Sequence, residues 1–464
     1  MTKVSRIAIG VITTVAVLCV GVFWFVREPA IDPLDSDRTI NFESSLIQRG
    51  ANLAALGDCN TCHTAPRGRV FAGGFPLPTP FGTIYSTNIT PDPETGIGRW
   101  SEAAFQRAMR QGVSRDGRHL YPAFPYDHFT LVSDEDNKAL YAFLMTRQPV
   151  RVPARVNRLP FPLNMRPVLA GWKLLFLREG PFRPDPAHDS AWNRGAYLVQ
   201  GIGHCGACHT PRNILGAEKP GKFFTGGEAE GWQALAINAD SHSPIPWNAV
   251  SLKAYLHQGW DVLHGVARGP MAPVADNLAS VSDDDVTAIA VYVASVMGEP
   301  SKVRRQQGEG LIRAAKSFGT GRQSQSGGSQ GVPTPSIDTP GAMIYAAACA
   351  SCHESGRSVP YGGIDLSLSP LLSTESPRNF LNVVLAGLVA ADGRRGPIMP
   401  GFAATLTDQQ VVALAGYMRS QFSTKPAWSD ITGQLSEVRS GLTVFEFSSD
   451  AGLMPIATGN QGKP

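Results

Sequence analysis

The chain carries little charge and no dominant sign of it. Charged residues make up 17% of its 464 residues and the formal net charge is +3. That gives no electrostatic reason to expect a nucleic-acid partner, and no basic stripe with interleaved aromatic residues is present. A Ser/His/Asp set, a phosphate loop and a dinucleotide fingerprint are also missing, so no independent active site is read from the motifs. Cysteine is scarce, with seven residues in all. A disulfide framework is not expected, because six of them form the pairs Cys59/Cys62, Cys205/Cys208 and Cys349/Cys352 and each pair is followed at once by a histidine. These are His63, His209 and His353. With 43% hydrophobic residues and this length, the chain can build three globular domains of ordinary size.

The seventh cysteine, Cys19, sits in an apolar run from Ile7 to Val26 that follows Lys3 and Arg6 and is closed by Arg27 and Glu28. About 20 apolar residues suffice to cross a bilayer as a helix, and no small-x-small cleavage site follows. Residues 1–28 are therefore expected to form an N-terminal transmembrane helix, with Trp24 near the outer interface and everything after Arg27 outside the cytoplasm. A cleaved signal peptide is the alternative, and either reading exports the chain. The expected location is the inner (cytoplasmic) membrane, facing the periplasm.

What remains is a module repeated three times. Arg49-Gly50-Ala51-Asn52-Leu53, Arg194-Gly195-Ala196-Tyr197-Leu198 and Gly341-Ala342-Met343-Ile344-Tyr345 each read as a short helix leading into a Cys-x-x-Cys-His. A second helix follows over Trp100 to Gln111, Trp247 to Gln258 and Ser376 to Ala386, ending at Gly112, Gly259 and Gly387. The interval from motif histidine to this glycine is 49, 50 and 34 residues, so the third copy is compressed. A last helix opens at Ser133, Ser282 and Thr407, each with an acid or amide three residues later in the manner of a capping box. Pro149 to Pro186 is rich in Pro and Arg, and Gly319 to Gly341 is rich in Gly, Ser, Gln and Pro. The expected fold class is mainly α: three tandem c-type cytochrome domains after the transmembrane helix. Their bounds are 40–150, 185–300 and 341–425, with a flexible linker at 319–340 and a tail at 426–464.

Two thiols separated by two residues reach the two vinyl groups of one haem, and the adjacent histidine is then held beneath the iron. A redox dithiol or half a zinc site needs no such histidine and does not explain three copies. Three covalently bound haem c groups are expected. Methionine opposite histidine raises the potential and suits electron transfer. Gly269-Pro270-Met271-Ala272-Pro273 offers Met271, 62 residues after His209, and Gly396-Pro397-Ile398-Met399-Pro400 offers Met399, 46 residues after His353. Core methionines are the plain alternative. Module one has Phe124, 61 residues after His63, where methionine is expected, and phenylalanine cannot bind iron. His128 is the favoured ligand there, with His119, Met165 and an open iron as rivals.

Three segments carry a family resemblance: Cys205-Gly206-Ala207-Cys208-His209-Thr210-Pro211-Arg212-Asn213, Ser86-Thr87-Asn88-Ile89-Thr90-Pro91 and Arg115-Asp116-Gly117. With them the chain resembles, over nearly its whole length after about residue 40, the triple-haem cytochrome c subunit of membrane-bound bacterial dehydrogenases. The resemblance implies an electron-transfer subunit that accepts electrons from a separate catalytic subunit and delivers them to ubiquinone. The run Pro122-Ala123-Phe124-Pro125-Tyr126-Asp127-His128-Phe129 is more similar to the type that serves a molybdenum hydroxylase acting on aldehydes or N-heterocycles, with a small iron–sulfur subunit. A quinoprotein alcohol dehydrogenase or flavin-dependent sugar dehydrogenase is the alternative partner. Readings of other classes are a haem peroxidase using an open first haem, and a free-standing carrier.

Overall fold

The structure, a computed structural model, describes residues 21, 26–35, 41–318, 339–357, 359–390 and 396–445. The chain divides into two compact units. One comprises Met1–Ala54 and Cys62–Arg183, the other Ala55–Thr61 and Pro184–Pro464. The second and third modules thus belong to one unit.

The expected transmembrane helix has to be corrected. Among the described residues no helix is long and apolar enough to cross a membrane. The longest, Lys302–Phe318, has 17 residues and is studded with Lys and Arg, whereas a span needs about 20 apolar residues. Of the run that carried the expectation only Gly21 and Val26 are described, and the rest of it lies outside the described residues. The described residues thus form helical modules, with no membrane-spanning helix among them. Residues 319–338 of the expected linker also lie outside the described residues.

Module one opens with α1 (Ser44–Leu56) and α2 (Cys59–Cys62), continues through the hairpin β1 (Pro76–Thr79) and β2 (Gly82–Tyr85), and then α3 (Glu102–Gln111), α4 (Tyr126–Phe129) and α5 (Asp134–Met145). Helix α6 (Val168–Phe176) follows within the stretch read as a Pro/Arg-rich joint. Module two repeats the order with α7 (Ser190–Gln200), α8 (Gly206–His209), hairpin β3 (Gly227–Ala229) and β4 (Trp232–Ala234), α9 (Ala249–Gln258), the short pair β5 (Trp260–Asp261) and β6 (Gly265–Val266), α10 (Met271–Leu278) and α11 (Asp283–Met297). Helix α12 (Lys302–Phe318) follows. Module three has α13 (Pro340–Ala348), α14 (Ala350–His353), α15 (Arg378–Ala386), α16 (Asp408–Phe422) and α17 (Ile431–Phe445). Two 3-10 turns, Leu366–Leu368 and Pro370–Ser373, stand where the other modules have a hairpin, which accounts for the compressed interval.

The first and last helices of every module cross at a glycine. A Cβ at Gly50 would lie 1.9 Å from the Ala139 carbonyl oxygen, one at Gly195 2.0 Å from that of Ala288, and one at Gly341 2.2 Å from that of Ala413. Only a residue without a side chain lets the backbones approach so closely. The N-caps of the last helices are as expected: Ser133, Ser282 and Thr407 accept from the N–H three residues on. The full capping box forms in α16 alone of these three, where Gln410 reaches back. In modules one and two the acid at that place pairs with the arginine before the crossing glycine instead, Arg49 with Asp136 at 2.6 Å and Arg194 with Asp285 at 2.7 Å.

Residues 426–445 are not a tail. Trp428, Leu435 and Val438 are buried in the core of module three with Phe380, Leu414 and Met418. Ile431, Leu435 and Val438 recur at helical spacing, and Trp428 Nε1 donates to the Thr374 carbonyl at 3.0 Å.

Chemical denaturation checks the crossing. Gly195→Ala is expected to destabilise the second unit by at least about 1–3 kcal/mol through backbone displacement. Gly416→Ala, in α16 where nothing lies within 4 Å of the new methyl group, should be neutral or stabilising by up to about 1 kcal/mol.

Candidate haem sites

The three motif histidines are held in one way. His63 Nδ1 donates to the Thr87 carbonyl at 2.7 Å, His209 Nδ1 to that of Leu235 at 2.7 Å, and His353 Nδ1 to that of Ile364 at 2.8 Å. A carbonyl can only accept, so Nδ1 carries the proton and Nε2 keeps its lone pair. This is the arrangement in which one imidazole nitrogen is fixed and the other ligates a metal. Burial pulls the pKa of His63 and His209 down against the carbonyl bond, which keeps both rings neutral.

Four of the thiols agree. Burial pushes Cys59 and Cys205 up to about 12, and Cys208 and Cys349 up to about 11. A reactive dithiol or a zinc thiolate requires the opposite shift. An environment that disfavours thiolate suits an uncharged thioether. The six cysteines of the motifs form no disulfide.

Module three shows the pocket most directly. One apolar cavity is lined by Cys349, His353 and Met399 together with Val384, Leu414 and Met418. Leu388 and Met399 bond to each other across an antiparallel bridge, at 2.8 and 3.0 Å, which fixes the Met399 backbone. Gly363 packs on the His353 ring, since a Cβ there would lie 2.6 Å from Nδ1. In module two Met271 is the first residue of α10 and half-buried.

The two cysteines of the third motif differ in exposure. Cys349 is buried and lines the cavity, whereas Cys352 is exposed and does not line it. The compressed loop is the reason. In module two the hairpin packs on the second thiol's backbone, where a Cβ at Gly227 would lie 2.2 Å from the Cys208 carbonyl oxygen. Module three has 3-10 turns instead of that hairpin, and the Cys352 carbonyl accepts from the Gly363 N–H at 3.1 Å. The shorter loop covers the imidazole and leaves Cys352 facing water.

These features together are what a cytochrome c requires, and the comparisons agree. Residues 338–418 match the profile of cytochrome c oxidase, cbb3-type, subunit III. A nicotinate dehydrogenase subunit of Pseudomonas putida is 45% identical over 88% of this chain, which spans 33% of that relative's length. The fructose dehydrogenase cytochrome subunit of Gluconobacter japonicus is 35% identical over 89% of this chain and 87% of its own length. The gluconate 2-dehydrogenase cytochrome c subunit of Pantoea cypripedii is 36% identical over 88% and 92%. The chain belongs to the cytochrome c subunits of bacterial dehydrogenases. It is an electron-transfer chain, and membership implies covalently bound haem c.

Within this family frame Phe124 occupies the place of Met271. Val113 bridges His119 just after the α3 cap, and Trp260 pairs with Val266 just after the α9 cap. Five residues beyond each bridge stand Phe124 and Met271. His119 is fully engaged: Nε2 donates to the Val26 carbonyl at 2.9 Å, and Nδ1 accepts from Lys173 at 3.0 Å. Met165 is 46% exposed, whereas His128 is buried on α4. Of the three candidates for a further iron ligand, Met399 lines a cavity together with its motif histidine.

Sequence reasoning missed the carbonyls that orient the histidines. A signal existed for one: Thr87 lies in the Ser86–Pro91 run that carried the family resemblance. It also missed Asp58, beside Cys59. This carboxylate accepts from Thr61 at 2.6 Å and from Asn277, whose amide also reaches Asn60 at 3.0 Å. Burial, with smaller help from Glu230 and Asp276, raises its pKa to about 7 against the hydrogen bonds from Thr61 and Asn277.

Two measurements follow. Gly363→Ala should displace the His353 ring, shift the potential of one haem in a redox titration and cost about 1–3 kcal/mol of stability. Asp58 takes up a proton on folding, because its folded pKa near 7 exceeds the unfolded value near 4. Its contribution is complete below about pH 4 and is lost as pH rises through about 7. Asp58→Asn keeps the acceptor and should flatten the stability profile across that window.

Proposed function

We propose that this chain carries three haem c groups, at Cys59/Cys62, Cys205/Cys208 and Cys349/Cys352, with His63, His209 and His353 as proximal ligands. It works at the periplasmic face of the cytoplasmic membrane, taking electrons from a catalytic dehydrogenase subunit and delivering them to ubiquinone. The observation that carries the reading is the Nδ1-to-carbonyl bond made by all three motif histidines. Bound haem supplies a reversible one-electron change at its iron. The residues present hold the imidazoles, shelter the thiols other than that of Cys352 and, in module three, wall the cavity with Val384, Leu414 and Phe402 against water.

Met271 and Met399 are the sixth ligands of the second and third haems, and His128 that of the first. Support for Met399 is the shared cavity, and for His128 its burial and the engagement of His119. The catalytic partner is a molybdenum hydroxylase acting on an N-heterocycle or an aldehyde, accompanied by a small iron–sulfur subunit. What supports this is Phe124 and the 45% identity with a nicotinate dehydrogenase subunit, against 35–36% with the sugar and alcohol relatives.

Purification of the native complex tests the partner: molybdenum and iron–sulfur clusters should co-purify, and pyrroloquinoline quinone or flavin in their place overturns this choice. Denatured chain should retain its haem, and replacing Cys205 and Cys208 with Ala should remove one third of it. His128→Ala should turn one haem high-spin and open to carbon monoxide when reduced. Three unchanged low-spin haems would remove His128 from the role.

A further inference from the structure

Between Arg147 and Arg183 the first unit carries seven arginines and Lys173 against Glu179, a net +7 in a chain whose total is +3. Arg151, Arg155, Arg158, Arg178 and Arg183 are exposed. The same stretch concentrates apolar surface. Six of the sixteen large apolar side chains exposed among the described residues fall between positions 156 and 175: Val156, Phe161, Met165, Val168, Leu174 and Leu175.

Helix α6 explains how that surface is held outward. Leu169 and Ala170 are buried, and Trp172 meets the Tyr126 ring edge-on at 5.9 Å. Lys173 Nζ donates to the Gly112 carbonyl at 2.7 Å and to His119. With that side pinned, Val168, Gly171, Leu174 and Leu175 are left on the outside. A helix that meets only water places polar residues there.

We propose that this segment docks the protein on an anionic bilayer surface. The α6 leucines, Val168 and Phe161 enter the headgroup region, and Arg155, Arg158, Arg178 and Arg183 meet lipid phosphates. Charge complementarity selects this occupant. An anionic leaflet attracts clustered Lys and Arg, and a helix lying in the interface combines such a cluster with an aliphatic face. The proposal rests on the membrane placement given above, and it puts the first unit beside the phase in which quinone dissolves.

The test is co-sedimentation of the full haem-loaded chain with vesicles of phosphatidylcholine, alone or mixed with phosphatidylglycerol, read by haem absorbance. The N-terminal apolar run is the same in every variant, so differences report on the segment. Arg155→Gln with Arg158→Gln should weaken binding to the anionic vesicles about fivefold per arginine and leave binding to neutral ones unchanged. Leu174→Glu with Leu175→Glu should weaken both about tenfold or more. Wild-type binding by both variants overturns the proposal. So does loss of co-purification with the catalytic subunit while vesicle binding persists, which assigns the face to a protein. Reduction of a water-soluble quinone in detergent tests the electron outlet separately: its absence in the wild type counts against the proposed function and leaves the docking surface standing.

Discussion

Every module depends on two helices meeting at a point where only glycine fits. Gly50, Gly195 and Gly341 let the leading helix rest on a backbone carbonyl of the last one, with gaps that no side chain could share. That crossing fixes where the leading helix ends, and the Cys-x-x-Cys-His begins within a few residues of that end. The thiols and the histidine therefore inherit their position from a contact that contains none of them. The loop that returns beneath the motif then supplies one carbonyl, and the imidazole is locked.

Features set by neighbours in the chain were legible. The attachment motifs, the Gly-ended second helices and the Ser133, Ser282 and Thr407 caps all arise within a few residues, so composition and spacing disclose them. Features set by tertiary partners were not. Asp136 and Asp285 look like capping-box acids, yet each turns to an arginine on the opposing helix, a choice made only when the two helices meet. The carbonyls of Thr87, Leu235 and Ile364 are backbone groups, which any residue type could supply. The exposure of Cys352 depends on how far the following loop reaches, which the motif itself does not encode. Residues 426–445 read as a tail although Ile431, Leu435 and Val438 carry a helical spacing, because nothing in the sequence says that this stripe, with Trp428, completes the core of module three. The N-terminal apolar run supported a spanning helix by length alone, and the described helices include none of that kind.

The modules also differ in ways that matter for the iron. Module one has the same bridge and the same five-residue offset as module two, but the offset delivers Phe124 instead of Met271. The scaffold is therefore intact while the side chain at this place is changed. A change confined to one side chain leaves the bond that holds the motif imidazole undisturbed.

Polar contacts join modules two and three. The Asn379 side chain pairs with both backbone groups of Gln233, at 2.9 and 2.7 Å, Asn382 donates to the Gly231 carbonyl, and Arg268 donates to that of Gly387. Helix α12 also meets the Leu366–Leu368 turn, and α15 meets β4. Because these partners are on one polypeptide, their effective concentration reaches about the millimolar range, where even a weak contact would stay occupied. Covalent continuity thus does part of the work that interfacial area alone must do between separate chains.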